Sequence, residues 1–543
     1  MRRITVKGLP PLSLTGIHRS AAETADELLI LMMKGQIKMS RLSELEYLGL
    51  PPMKRKLYDI GQFFVNLPLK ILNILKQIPL GIWKGICAVG RFFASIGKIF
   101  AEGDWKTRIS FLIMGFGQFF RHQIGRGIIF LGMEALFVWF MAVMGGGYLA
   151  GLGNLGEQAT IKTLNDYGLE VVTYKDNSLK ILLYGVLTIF IIAGFIWTWY
   201  INIKQNHTAQ KLIEKGIRPK SFKNDLKSLA DEQYYKTLLA VPLLGITVFT
   251  IIPIFFMILI AFTNYDYSHL PPDKLFGWVG WDNFQTILAA DASGNDKFAY
   301  TFREILIWTM IWALVATFSN YFLGMFVAMC INRKGIKFKK VFRTVLVMTI
   351  AVPQFVSLLL VSKMFSNEGI VNGILREHLG WITENIGFWT TQDMARIMVL
   401  AVNLWVGIPY LMLIATGVLM NIPGDIYESA RIDGASGFKQ FTKITLPYML
   451  FVTGPYLLTS FTANINNFNV IYLLTAGAPK TMAYEGGAGG TDLLITWLYS
   501  LTVTNNDYKI AAVIGILVFV VVAVISLIVY NVSPAMKNEE DFQ

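Results

Sequence analysis

Along most of the chain, long apolar runs alternate with short polar ones. Eight runs are long enough to cross a hydrocarbon core, which takes about 20 residues as a helix. They fall at 127–150, 181–201, 237–262, 305–331, 343–365, 395–420, 448–473 and 508–532. The pattern predicts an all-α membrane protein with eight transmembrane helices. Residues 57–104 read differently: apolar clusters recur every three or four positions, interrupted by Lys70, Lys76, Lys84, Arg91 and Lys98. That period predicts amphipathic helices over 57–126, lying in the headgroup region with basic faces toward anionic lipid. Residues 1–56 are polar and mixed, with no evident core.

Composition agrees with a lipid environment. The chain is 54% hydrophobic and 15% charged, whereas a soluble domain is about a quarter charged. The net charge of +12 could suggest nucleic acid, but its distribution argues otherwise. Of the 48 Lys and Arg, 37 lie in 1–126, 202–236, 332–343, 421–447 and 531–543. Ten lie in 151–180, 263–304, 366–396 and 474–509. Positive charge marks the cytoplasmic side, so both termini are expected inside, with membrane lipid and no nucleic acid as a partner. The first 50 residues lack a basic head followed by an apolar core and cleavage site, so no cleavable leader is expected.

This gives a layout of a polar region at 1–56, interfacial helices at 57–126, a transmembrane hairpin at 127–201, a core at 237–532 and a cytoplasmic tail at 533–543. Cys87 and Cys330 are the only cysteines, which excludes a disulfide scaffold and a multi-cysteine metal site. No G-x-x-x-x-G-K-[ST] string, nucleophile elbow or metal-ligand spacing occurs. The chain is therefore expected to bind no cofactor or metal and to have no catalytic residues. Glu134, an acid within the first span, is expected to snorkel or to pair with a neighbouring helix rather than relay protons.

Polar residues inside spans are costly toward lipid and should face a cavity or another helix. Gln354 adjoins Pro353 in the fifth span. Asn403, Gly407 and Tyr410 are spaced by four and three on one face of the sixth. Ser460, Asn464 and Asn467 repeat that spacing in the seventh, with Phe461 and Phe468 on a neighbouring stripe. Such residues could line a solute path; single Asn or Ser residues could equally bridge packed helices.

The segment YESARIDGASGFKQFTKITLP at 427–447 is polar and amphipathic, between the sixth and seventh spans. Pro423 and Asp425 open a helix, Gly434 permits a sharp turn, and a second helix over about 436–445 should stop at Pro447. This string resembles the EAA loop of permease subunits of ATP-binding-cassette (ABC) importers: Glu-Ala-Ala, three residues, Gly, nine residues, Ile-x-Leu-Pro. Glu428, Ser429, Ala430, Gly434, Ile444, Leu446 and Pro447 occupy those positions, with Ser429 the one departure. VNLWVGIPYLML at 402–413, AVPQFVS at 351–357, SFTANINNFNVIYLLTAGAP at 460–479 and TDLLITWLY at 491–499 extend the resemblance to MalF-like permeases. The loop at 263–304 departs, being about forty residues long where enterobacterial members carry a large insertion.

The resemblance implies a type I ABC importer subunit in a bacterial cell membrane, moving maltose- or maltodextrin-like oligosaccharides inward. It implies a coupling loop at 421–447 docked on an ATPase, with Glu428 meeting a cation there. Its implied partners are a second, MalG-like permease, two ATPase subunits carrying ATP and Mg, and an extracytoplasmic solute-binding protein. It also implies sugar contacts at Gln354, Asn403, Gly407, Tyr410, Ser460, Asn464 and Asn467. The rival reading is an ion-coupled secondary sugar transporter, which would need intramembrane carboxylates that the spans mostly lack.

Overall fold

A computed structural model describes residues 83–532 except 86, 165–166, 168–169, 220, 290–296 and 334. The expectations for 1–56, 57–82 and 533–543 lie outside the described residues. One compact unit ends at Phe93 and a second starts at Ala94. In the first, the described residues from 83 on are helical. In the second, α1 (94–102) is followed by two short helices, α2 (Trp105–Ile109) and α3 (Phe116–Phe119).

A hairpin of α4 (Ile124–Gly151) and α5 (Ser178–Glu214) comes next. Its connection holds an antiparallel pair, β1 (Thr160–Leu164) and β2 (Glu170–Tyr174), in the register Thr160–Tyr174 to Leu164–Glu170. Beyond α6 (Phe222–Ala230), α7 (Tyr234–Ile260) and the loop helix α8 (Asp282–Leu288) lies α9 (Lys297–Asn332). α10 (Lys339–Ala351) and α11 (Gln354–Met364) precede α12 (Gln392–Met420) and the loop helix α13 (Gly424–Ile432). α14 spans 437–465, and α15 (Phe468–Thr475), α16 (Leu494–Tyr499) and α17 (Tyr508–Val532) complete the described chain.

α9 forms the axis of the core. Its most apolar stretch is 44% buried, against 11% for those of α4 and α7, so the latter leave most of their apolar surface to lipid or another chain. Trp308 and Trp312 of α9 pack with Leu358, Val399 and Ile471 from α11, α12 and α15. Tyr321 and Met325, farther along, pack with Met412 and Met449 of α12 and α14. Among the described residues, seven helical runs are long and apolar enough to span, and the bent pair α10–α11 makes an eighth if taken as one span.

Several expectations need correction. The fifth span is no straight helix: α10 and α11 meet at 90°. Pro353 disfavours helical backbone at the residue before it, and Val352 is extended, with φ −78° and ψ 127°. The seventh span breaks at Asn466–Asn467. Pro447 does not stop the preceding helix; a π-helical turn at Phe441–Thr445 leads into Leu446–Ile465, and the backbone stays helical through Pro447. α5 continues to Glu214, well beyond 201, because its polar end gains partners from 104–123. The segment 105–126 is accordingly not a simple interfacial amphipathic helix.

Those partners form a buried network. Arg121 donates to Asn206 Oδ1 (2.8 Å), Thr107 Oγ1 (2.8 Å) and Asp104 Oδ1 (2.6 Å). Gln118 Nε2 donates to Asn202 Oδ1 at 2.9 Å, and Asn206 Nδ2 to Gln118 Oε1 at 2.6 Å. Burial alone would raise the Asp104 pKa; hydrogen bonds from Thr107 and Arg121 outweigh it and hold the group below its ordinary value. Glu134 accepts from the Met114 backbone N–H at 2.8 Å, so this intramembrane acid has a local structural partner.

A second polar anchor ties the loop after α7 to the start of α17. Asp266 is 8% exposed and accepts from Lys509 Nζ at 2.7 Å, with His269 Nδ1 at 2.8 Å. Burial pushes its pKa up, but Lys509 and His269 win and leave it depressed. A depressed carboxyl stabilises the fold above its unfolded pKa and loses that contribution as pH falls through the folded one. Asp266→Asn is expected to remove about 1.5–3 kcal/mol. The thermal midpoint in detergent should fall at neutral pH, and the gap from the parent should close below pH ~4.

Candidate functional site

Two places carry groups that packing alone does not require. The first is the polar loop between α12 and α14. α13 follows Pro423 and carries Asp425 in its first turn, where an acid favours the helix N-terminus. It ends in a paired cap: the Gly434 N–H reaches Arg431 O at 3.0 Å and the Ala435 N–H reaches Ala430 O at 2.9 Å. This closure needs a left-handed residue, and Gly434 supplies it with φ +74°. Ser436 caps the next turn by accepting from the Lys439 N–H.

Tyr427 OH and Thr445 Oγ1, 2.8 Å apart, pin α13 to the base of α14. Phe441 and Leu446 turn inward against the core around Met412 and Met449. Ile426, Ile432 and Phe438 remain exposed, Ile432 at 87% and Phe438 at 75%. Glu428 and Ser429 are exposed, Ala430 and Ile444 half-buried and Pro447 exposed. The loop is therefore a braced knob with apolar and acidic groups facing outward. Phe441 belongs to its anchor rather than to its outer face.

The second place is a 430 Å³ cleft where α10, α11 and α12 meet. The bend at Val352–Pro353 opens it. Gln354 and Ser357 come from α11, Trp405, Val406 and Tyr410 from α12. Its size lies within the usual range for small-molecule sites. Amide, hydroxyl and indole groups can exchange hydrogen bonds with a polyol and stack on the apolar face of a sugar ring, without a charge in the lining.

Among the residues singled out from sequence, Gln354 and Tyr410 meet in this cleft. Asn403, 6% exposed, is buried and does not line the cleft. A Cβ at Gly407 would come 2.5 Å from Asn320 Nδ2, so this glycine allows α9 and α12 to approach closely. Asn320 Oδ1 and Asn403 Nδ2 are each buried without a hydrogen-bond partner. Ser460, half-buried on α14, does not line the cleft. Asn464 Nδ2 donates to Thr317 Oγ1 at 2.9 Å, and Asn467 Nδ2 donates to Asn464 Oδ1 at 3.3 Å. Phe461 enters the core beside Ala313, while Phe468 stacks on Tyr472.

Trp405, Ser357 and Asn320 were not singled out from sequence. An isolated Asn within the apolar run 305–331 was a usable signal for Asn320; the lining role of Trp405 depends on the bend and could not be counted from α12 alone. Among the described residues, no three His, Cys, Asp or Glu side chains are grouped to hold a metal.

Asn464→Leu separates the two uses of that residue. Loss of the Thr317 bond should lower stability by about 1 kcal/mol, seen as a lower thermal midpoint. If Asn464 also meets solute, the half-saturation for uptake should rise roughly fivefold, equivalent to about 1 kcal/mol. A shifted midpoint with unchanged half-saturation would confine Asn464 to helix packing.

The model of a family described as binding-protein-dependent transport system inner membrane component matches residues 320–538. The maltodextrin transport system permease protein MalC of Streptococcus pneumoniae is 33% identical over 443 residues, covering 80% of this chain and 97% of MalC. The galactooligosaccharides transport system permease protein GanP of Bacillus subtilis is 36% identical over 430 residues, covering 79% and 97%. Among solved structures, a bacterial ABC transporter involved in import of the acidic polysaccharide alginate aligns at 22% identity and a TM-score of 0.44. That alignment covers 58% of this chain and 99% of the other.

Proposed function

Because the chain belongs to the MalF-like permease subunits of binding-protein-dependent ABC importers, we propose that it carries linear oligosaccharides of the maltodextrin type across the cell membrane. The observation that carries this reading is the joint presence of the braced knob at 421–447 and the uncharged cleft beside α10–α12. A cleft alone would suit a secondary transporter. A knob with outward Glu428, Ile432 and Phe438 suits a subunit driven by another chain.

The cleft is lined by α10, α11 and α12 of this chain, and a second, MalG-like permease would supply further walls of the solute path. Two ATPase subunits with ATP and Mg would grip the knobs of the two permeases, and hydrolysis belongs to them rather than to this chain. An extracytoplasmic solute-binding protein would deliver sugar. As the ATPase pair closes, the knob moves with it, and the lever formed by α13 and α14 turns the cleft outward. Gln354 and Tyr410 are proposed to hydrogen-bond solute hydroxyls, and Trp405 to present its face to a ring. Ser460, Asn464 and Asn467 of the seventh span are proposed to meet solute farther along its path, outside the lining of this cleft.

MalC is named for maltodextrin and GanP for galactooligosaccharides, so linkage is the property to test. Cells lacking this chain should lose uptake of labelled maltotriose and maltotetraose and regain it on complementation. Equal uptake of maltodextrins with and without the chain, alongside lost uptake of β-linked galactotetraose, would reject the maltodextrin reading.

A further inference from the structure

On the face of the hairpin that the Lys and Arg count makes cytoplasmic, α1 and the polar end of α5 enclose a cleft of 540 Å³. Transport of sugar gives this cleft no role. Lys204, His207, Lys211 and Lys215 follow one another on α5 at spacings of three or four, so they occupy one helix face. Lys98 and Ile99 face them from α1. Glu102 is the carboxylate these cations share: Lys211 Nζ is 2.9 Å away, His207 Nε2 3.4 Å and Lys98 Nζ 3.7 Å. Among the described residues, neither Lys204 nor Lys215 has a carboxylate within 4.0 Å. Four lysines thus line a single recess, with Glu102 at its edge and Glu214 also close enough to act on His207.

The position of the recess matters as much as its charge. Trp197, two turns before Lys204 on α5, is 61% exposed, and Ile196 is exposed beside it. An exposed indole at the end of an apolar span marks the membrane–water boundary. Lys204 Nζ then lies 5.9 Å over the Tyr200 ring. Buried Ile99 and half-buried Leu212 give the recess an apolar floor. A cationic pocket with an apolar floor, opening at headgroup depth, matches an amphiphile with an anionic head.

We propose that this cleft binds the phosphodiester headgroup of an anionic phospholipid, with Lys204 as its contact nearest the membrane boundary, Lys215 adding charge at the far end of the recess, and the acyl chains leaving along the exposed side of α5. An acidic protein segment would match the charge, but nothing would place its site against the lipid-facing stripe.

The test uses the full-length chain purified in mild detergent and incorporated into nanodiscs of phosphatidylglycerol and phosphatidylcholine. The parent should co-purify with phosphatidylglycerol above its bulk fraction, as counted by native mass spectrometry. Lys204→Gln/Lys215→Gln should reduce that enrichment at least fivefold. Lys204→Arg/Lys215→Arg should retain it, and so should Lys337→Gln/Lys340→Gln, which removes equal charge elsewhere. Matching thermal midpoints confirm that the variants fold. Unchanged enrichment in the Gln pair would overturn the proposal. Displacement by soluble glycerol phosphate at the same concentration as by the diacyl lipid would show a free-anion site instead. A basic surface without a specific pocket would show the same loss in both Gln pairs.

Discussion

Gly434→Val should reduce ATP-driven uptake at least tenfold in an importer that still assembles and still accepts sugar from outside. A Cβ at this position meets nothing within 4 Å, so the damage is conformational rather than a clash. The backbone sits at φ +74°, where an ordinary L-residue costs about 1–2 kcal/mol and a β-branched one more. Relaxing toward negative φ would break the Gly434–Arg431 and Ala435–Ala430 closures and re-aim α13 against α14. Gly434→Asn gives the discriminating contrast, because asparagine enters the left-handed region readily; it should lose no more than about threefold. ATPase activity in the Val variant should become uncoupled from added sugar. Equal uptake in the Val and Gly proteins would remove this turn from force transmission.

Tyr410→Ala should raise the half-saturation for maltodextrin uptake about tenfold or more, with little change in thermal midpoint. Tyr410 is 52% exposed and lines the cleft opposite Gln354, so its removal leaves no packed cavity. The expected loss combines one hydrogen bond of about 1 kcal/mol with the contact of an aromatic face, and each 1.4 kcal/mol is a factor of ten. Tyr410→Phe keeps the face and should recover part of the affinity. A change in maximal rate alone, with half-saturation fixed, would place Tyr410 in helix movement rather than solute contact.

Hydropathy made most of the membrane architecture legible because lipid imposes one requirement on every exposed position. It missed the bend at Val352–Pro353, since 343–365 is apolar on both sides of the break; Pro353 was the local signal. It also ended α5 too early. The sequence NIKQNHTAQKLIE is polar, and its helix is held by Gln118 and Arg121, some 85 residues away; no periodicity reveals such a pairing.

The turn at Gly434 was readable because it is local: a glycine at the cap is needed by the backbone itself. Pro447 misled, as proline both ends helices and begins them. The cleft was half legible. Spacing put Asn403, Gly407 and Tyr410 on one stripe, but tertiary packing divides it, burying Asn403, setting Gly407 against α9 and leaving Tyr410 in the opening.

The central claim is that this chain moves sugar only when another chain hydrolyses ATP against its cytoplasmic knob. Proteoliposomes containing it with its permease partner and ATPase subunits, supplied with binding protein and labelled maltotriose, test that directly. Uptake should require ATP on the ATPase side, vanish with a non-hydrolysable analogue, and persist when a protonophore abolishes any proton gradient. Uptake by this chain without the ATPase, driven by an imposed proton or sodium gradient and lost with the protonophore or ionophore, would contradict the account.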